Sequence, residues 1–576
     1  MVRSVGRILK RTFQTKWLLA AFALGLVLGA RAEEPRYFAI RQARIVPVSG
    51  PEIKSGTVVI AKGLIVAVGE NVTIPPEAWV IEGKGLTVYP GFINALSDLG
   101  LGAPALAAPG APGGGGGPAR GQPQPQPASQ GPQDRPASTP WMNAADELKP
   151  DDKRLETWRN AGFTSTLAAP MTGIFPGEGA LVNLAGERAG QMVVAAPSAL
   201  LITLQPLRGF ATFPDSLMGV ISYVRQVFLD AHWYNQAESI YRAHPAGLER
   251  PSYDRTEIVV NDALAAGRPV LLPGNTAQEI HRALTLADRL GAHAVIYGGQ
   301  QGYADADELA AARVPVLVNL KWPEKEKDAD PEAEEPLRVL RFRDRAPSSP
   351  AALQKAGVKF AFYFEGTGAP KDALKNAKKA IDAGLPADAA LRAFTLNAAE
   401  ILGVGDRLGS IEPGKIANLA VTDGDPFNEK TKVKMTFVDG RRYEVREPGR
   451  PTAPPTVKLT GKWKISLTGP QGPEEATADL SMAADGTLTG SLTGASGAML
   501  GSMGTVSIRD GWVSGNKFSF TVSLTVGGNP ADVIFSGTLE GEQMKGTASG
   551  GGASVDFTGT RPAGTGTAVN THQEVE

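Results

Sequence analysis

The chain has 576 residues, too many for one hydrophobic core, so two or three domains are expected. Its 58 basic and 59 acidic residues leave a net charge of −1, which removes the electrostatic case for nucleic acid as a partner. The absence of cysteine excludes disulfides, thiolate nucleophiles and thiolate metal sites, and five histidines are few for a hydrolytic metal enzyme of this size.

The N-terminus reads as a targeting segment. Arg3, Arg7, Lys10, Arg11 and Lys16 precede an apolar run from Trp17 to Gly29, and Ala30-Arg31-Ala32 supplies a small-residue cleavage site before Glu33. The run is short for a membrane span of about 20 residues. A signal peptide over 1–32, cut near Ala32, therefore ranks above an uncleaved anchor. Export to a periplasm or beyond is expected, without a stable membrane anchor.

From Tyr37 to Ile81, alternating apolar residues punctuated by Lys62-Gly63 and Gly69 predict a meander of hairpins. Matching strand patterns return at Gly409–Phe427 and Val433–Val445. Residues 33–89 and 410–450 are thus expected to form one discontinuous small β-sandwich domain. The stretch YPGFINALSDLG, Tyr89 to Gly100, reads as a buried strand entered through a Pro90-Gly91 turn. Residues 102–140 are Pro-, Gly- and Gln-rich and cannot bury enough apolar surface to fold, which predicts a disordered insert. Such a loop after a first barrel strand emerges on the catalytic face, and a passive insertion is preferred to a drape over the pocket.

From Ala144 to Leu408, amphipathic helices ending at Gly alternate with short apolar strands, the rhythm of a parallel sheet. The span 90–409 suits a (β/α)8 TIM-like barrel. A doubly wound sheet ranks second, because no Gly-rich nucleotide fingerprint follows any strand. After a linker at 451–456, residues 457–562 show alternating strands with turns at Asp485-Gly486, Asp510-Gly511, Gly515-Asn516 and Glu540-Gly541. These predict an antiparallel β-barrel or sandwich with a disordered tail at 563–576. Trp463, Trp512 and Phe520 are read as core rather than as a ligand site.

YPGFINALSDLG and the stretch LPADAALRAFTLNAAEILGVGDRLGSIEPGKIANLAVTDGDPF, Leu385 to Phe427, resemble the amidohydrolase superfamily, with the imidazolonepropionase-like branch the nearest match. The resemblance implies a metal-dependent (β/α)8 barrel with a flanking composite β-domain, hydrolysing non-peptide C–N bonds. A divalent metal (zinc or another) would lower the pKa of a bound water to make hydroxide. The ligands implied are H-x-H after strand one, a carboxylated Lys or a Glu from strand four, His on strands five and six, and Asp on strand eight.

Carried over by position, the first pair falls on Leu96 and Asp98, and the strand-five histidine falls on Pro273. Strand six offers Gln300 and Gln301, and the strand-eight aspartate falls on Glu365. Leu96 and Pro273 carry no donor atom, so these are lost ligand positions. Asp98 and Glu365 remain as weak oxygen ligands, with solvated rim carboxylates as the alternative. Glu365 is the catalytic candidate, and Asn94, Ser97 and Tyr363 are pocket candidates. Asn418 stands where the family usually has Asp. His232, His244, His281, His293 and His572 read as structural, and no G-x-S-x-G elbow occurs. Pro176 to Glu187 resembles a barrel-lining segment whose glycines read as turn residues.

The expectation is an exported amidohydrolase relative with a degraded metal site and weak or lost turnover. The alternatives are a non-catalytic scaffold and a relocated carboxylate metal site. Expected partners are a small-molecule or peptide ligand, a second copy of the chain, or a catalytically intact amidohydrolase.

Overall fold

The computed structural model describes residues 37–101, 135–207, 213–325, 334–364, 370–445 and 454–561, apart from short gaps at 470–471, 484, 497–503, 527–528 and 551–552. The expected signal peptide at 1–32, most of the 102–140 insert, Glu365 and the tail lie outside these residues. The chain divides into two compact units, Met1–Val445 and Arg446–Glu576.

In the first unit, β1 (Tyr37–Ile45), β2 (Ile53–Ala61), β3 (Leu64–Gly69), β4 (Trp79–Glu82) and β5 (Thr87–Pro90) lead into the barrel strands. Those are β6 (Phe92–Ser97), β7 (Phe163–Ala168), β8 (Gly177–Asn183), β9 (Val193–Leu201), β10 (Val270–Gly274), β11 (Ala294–Gly298), β12 (Val316–Asn319) and β13 (Phe360–Tyr363). The chain then returns through β14 (Leu419–Thr422), β15 (Val433–Val438) and β16 (Arg441–Glu444).

The composite domain is one sheet in the order β16-β15-β14-β5-β1-β2-β3, with β4 pairing to β1. Its two ends meet. The Ile65 N–H donates to the Lys415 carbonyl at 2.9 Å, and the Gly414 N–H donates to the Ile65 carbonyl at 2.8 Å. The sheet thereby wraps around Phe38, Ile60, Val88, Leu419 and Phe437, which gives the two-layered core of a sandwich.

The barrel strands pair in chain order from β6 to β13. In β10 to β13, Leu271, Val295, Leu317 and Ala361 join the inner core. Their neighbours Val270, Leu272, Ile296, Val318 and Phe362 face the surrounding helices. This is the period-2 alternation of a strand buried on both faces. One strand departs from (β/α)8 regularity, since β8 runs antiparallel to both β7 and β9. The connections 169–176 and 184–192 are too short for a helical crossover, which needs a dozen or more residues. Of the glycines read from sequence as turn residues, Gly177 and Gly179 therefore lie in a strand, and Gly186 lies in the connection that follows it. Gly177 has φ of 145°, and a Cβ there would stand 2.5 Å from the Met142 carbonyl oxygen.

The Pro90-Gly91 step has a packing cause. A Cβ on Gly91 would fall 2.1 Å from Thr164 Oγ1, so only glycine lets β6 start against β7. At the same end of the barrel, Asn418 donates to Ser165 Oγ at 2.9 Å and to Asn183 Oδ1 at 2.7 Å, and accepts from the Asp439 N–H at 2.8 Å. Neutral asparagine serves there as a three-way tie between the composite sheet and the barrel. The end of the proposed loop insert is ordered. Arg135 pairs with Asp254 and Glu257, each at 2.8 Å, and Ser138 bonds the Tyr223 hydroxyl at 2.8 Å.

In the second unit, nine antiparallel strands between Gly461 and Thr560 close into a barrel, since Gly472–Met482 pairs with both Gly461–Gly469 and Thr487–Ser496. Trp463 and Phe520 are fully buried, and the Trp463 indole N–H donates to the Leu459 carbonyl at 2.9 Å. Trp512 is half-buried.

Candidate functional site

A cavity of about 360 Å³ opens at the C-terminal ends of β6, β7 and β13. This is the face on which (β/α)8 enzymes build their sites, and the volume suits a small ligand. Leu96, Leu101, Ala169, Pro170 and Tyr363 form much of its wall, and Met142, Asn143 and Ala144 come from the segment after the insert. The sequence reading missed Met142 and Met171, whose positions lie outside any strand pattern.

Leu96 is buried in the inner core at 1% exposure, where the resemblance places a metal-binding imidazole. Asp98 lines the cavity but is engaged by Arg154, whose Nη1 donates to Asp98 Oδ2 at 3.0 Å. Arg154 in turn bonds Asp152, the N-cap of helix Lys153–Asn160. Burial alone would push the Asp152 carboxyl up, but hydrogen bonds from Arg154 and the Gly100 N–H hold it below its ordinary range. The Asp98–Arg154–Asp152 chain is thus a structural ion network at the rim.

The other strand ends carry neutral ties. Among the described residues no backbone ladder joins β13 to β6. The Asn94 side chain bridges them instead: Oδ1 accepts from the Phe364 N–H at 3.0 Å, and Nδ2 donates to the Phe364 carbonyl at 3.3 Å. Asn94 is a seam residue and not a member of the cavity wall. Ser97 does line the cavity, and its Oγ is 2.7 Å from Thr166 Oγ1.

Pro273 ends the β9 ladder. The Ile202 N–H donates to the Leu271 carbonyl at 3.1 Å, and the next parallel rung would run from a residue-273 N–H to the Ile202 carbonyl. Proline has no N–H to give. The Tyr297 hydroxyl donates to that carbonyl at 3.3 Å instead. Gln300, 4% exposed, donates from Nε2 to the carbonyls of Asn319 at 3.1 Å and Lys321 at 2.7 Å. Gln301 Oε1 accepts from the Ala277 N–H at 3.0 Å. The strand-five and strand-six positions are therefore engaged with the backbone.

The donor set does not fit the family's metal. Leu96 and Pro273 offer no lone pair, Asp98 faces a guanidinium, and among the described residues no three His, Asp or Glu side chains are placed to hold a metal ion. His232, His244, His281 and His293 are all exposed; His281 pairs with Glu308 at 2.8 Å, and His293 precedes β11 at the non-catalytic end. Glu365, the remaining carboxylate candidate, lies outside the described residues.

The ancestry is carried elsewhere in the chain. The model of the Amidohydrolase family matches residues 272–443. A crystal structure of an amidohydrolase from Thermotoga maritima MSB8 superposes with a TM-score of 0.58 at 25% identity, covering 71% of this chain and all of that one. The chain belongs to the amidohydrolase superfamily. An N-substituted formamide deformylase from Arthrobacter pascens is 41% identical over 85 residues. That match spans 14% of this chain and 16% of the deformylase.

Proposed function

We propose that this amidohydrolase is an exported member of the lineage that hydrolyses non-peptide C–N bonds, with its metal site degraded and turnover weak or lost. Its barrel mouth retains a binding role for a small, largely apolar molecule. The observation that carries this reading is Leu96, buried in the inner core at a ligand position, beside an Asp98 held by Arg154. The supporting features are Pro273 at strand five and a cavity whose wall is mainly aliphatic, methionine and tyrosine. Export rests on the N-terminal basic-apolar-small pattern.

Within this reading, Leu96, Met142 and Met171 exclude water from a bound apolar group, while Asn143, Ser97 and the Asp98 rim offer polar contacts. Ser97 is not an activated nucleophile, because its hydroxyl is engaged with Thr166 and the described histidines lie elsewhere.

The decisive experiment is metal analysis of mature protein purified without supplement, together with assays on N-acyl and cyclic amides after zinc incubation. The expected result is substoichiometric metal and no zinc-dependent hydrolysis, with an apolar amide probe bound by the parent and released by Leu96→Arg. Stoichiometric zinc with zinc-dependent turnover would overturn the degraded-site reading.

A further inference from the structure

The helix Leu217–Ala243, at 27 residues the longest in the described barrel, carries apolar residues on opposite faces. Val220, Val224, Val227, Phe228 and Ala231 are buried inward. On the outside, Met218, Leu229, Trp233 and Ile240 are 79, 59, 64 and 59% exposed. At 100° per residue these four fall within an arc of about 60°, so they form a single stripe rather than scattered exceptions. Ser222 and Gln236 share this arc, and exposed apolar side chains aligned along one face mark an interaction surface. Among the described residues, only one side of this helix is covered.

The stripe is symmetric about its centre. Met218 and Ile240 each lie eleven residues from Leu229, and Arg225 and Trp233 each lie four residues from it. We infer that the occupant is the same helix of a second copy of this chain, packed antiparallel about a two-fold axis at Leu229. That register sets Leu229 on its own counterpart, Met218 against Ile240, and the exposed Arg225 guanidinium against the Trp233 ring. The last contact is a cation–π pair made twice. Antiparallel helices also oppose their dipoles favourably.

A strip about 40 Å long and 12 Å wide has a footprint of roughly 500 Å² per copy. This is smaller than the about 800 Å² per partner of a standard stable interface. The dimer is accordingly concentration-dependent rather than permanent.

Because the chain contains no cysteine, single replacements report on register. In full-length mature protein under mild oxidation, Leu229→Cys is expected to form a disulfide-linked dimer. Met218→Cys alone should not, since its own counterpart would lie roughly 33 Å away. A mixture of the Met218→Cys and Ile240→Cys proteins should cross-link to each other. Sedimentation should show the parent shifting from monomer to dimer with concentration and Leu229→Arg remaining monomeric. Leu229 is a surface residue, so these changes leave the fold intact. Equal cross-linking from Leu229→Cys and Met218→Cys would overturn the register. A parent that is monomeric at all concentrations, or that instead uses this stripe to bind lipid vesicles, would overturn the proposal.

Discussion

Replacing Asn94 with alanine opens the one described side-chain seam between the first and last barrel strands. The amide satisfies both backbone groups of Phe364 across a sequence separation of 270 residues, at a position that is 1% exposed. Leaving a buried donor or acceptor unpaired costs about 1–3 kcal/mol each, so the loss is about 3 kcal/mol in total. That corresponds to roughly a hundredfold rise in the local opening equilibrium. Native-state hydrogen exchange reads this directly. The Phe364 amide should lose about two orders of magnitude of protection in Asn94→Ala, while amides of the C-terminal β-barrel stay unchanged. Protection of Phe364 within threefold of the parent would refute the seam assignment and return Asn94 to the pool of available pocket residues.

Gly91→Ala should cost at least about 3 kcal/mol or prevent folding, because the new methyl meets Thr164. Combining it with Thr164→Gly should recover soluble protein in an expression test, and failure to recover would place the strain elsewhere. Tyr297→Phe orphans the Ile202 carbonyl and should lower the urea-unfolding stability of the first unit by about 1–2 kcal/mol. An unchanged midpoint would mean that another donor serves the Ile202 carbonyl. The Asp152 carboxyl is held below its ordinary value of 3.8, so its contribution is present above that value and lost as pH falls through the lower, folded-state value. Acid unfolding of the first unit should therefore begin at a higher pH in Arg154→Ala than in the parent, as followed by circular dichroism, and coincident curves would contradict the network.

Local sequence determined the strand groups, the barrel class and the ancestry. Alternating apolar residues in β10 to β13 specify burial on both faces wherever the strands sit, and the Leu385–Phe427 motif identifies the lineage through residues close in the chain. That Leu96 and Pro273 carry no donor atom was equally legible, since it depends on side-chain chemistry alone. What engages the polar groups around them was not. Asn94, Gln300 and Tyr297 are ordinary polar residues in sequence, and each acquires its role only from a backbone group brought near by closure of the barrel. The antiparallel course of β8 was likewise hidden, because a fully buried strand shows no polarity along its length; its direction follows from short connections on either side. The outer stripe on Leu217–Ala243 was also masked in the sequence by the apolar residues of its inner face. Tertiary packing decided which face was covered, and so which residues were left exposed.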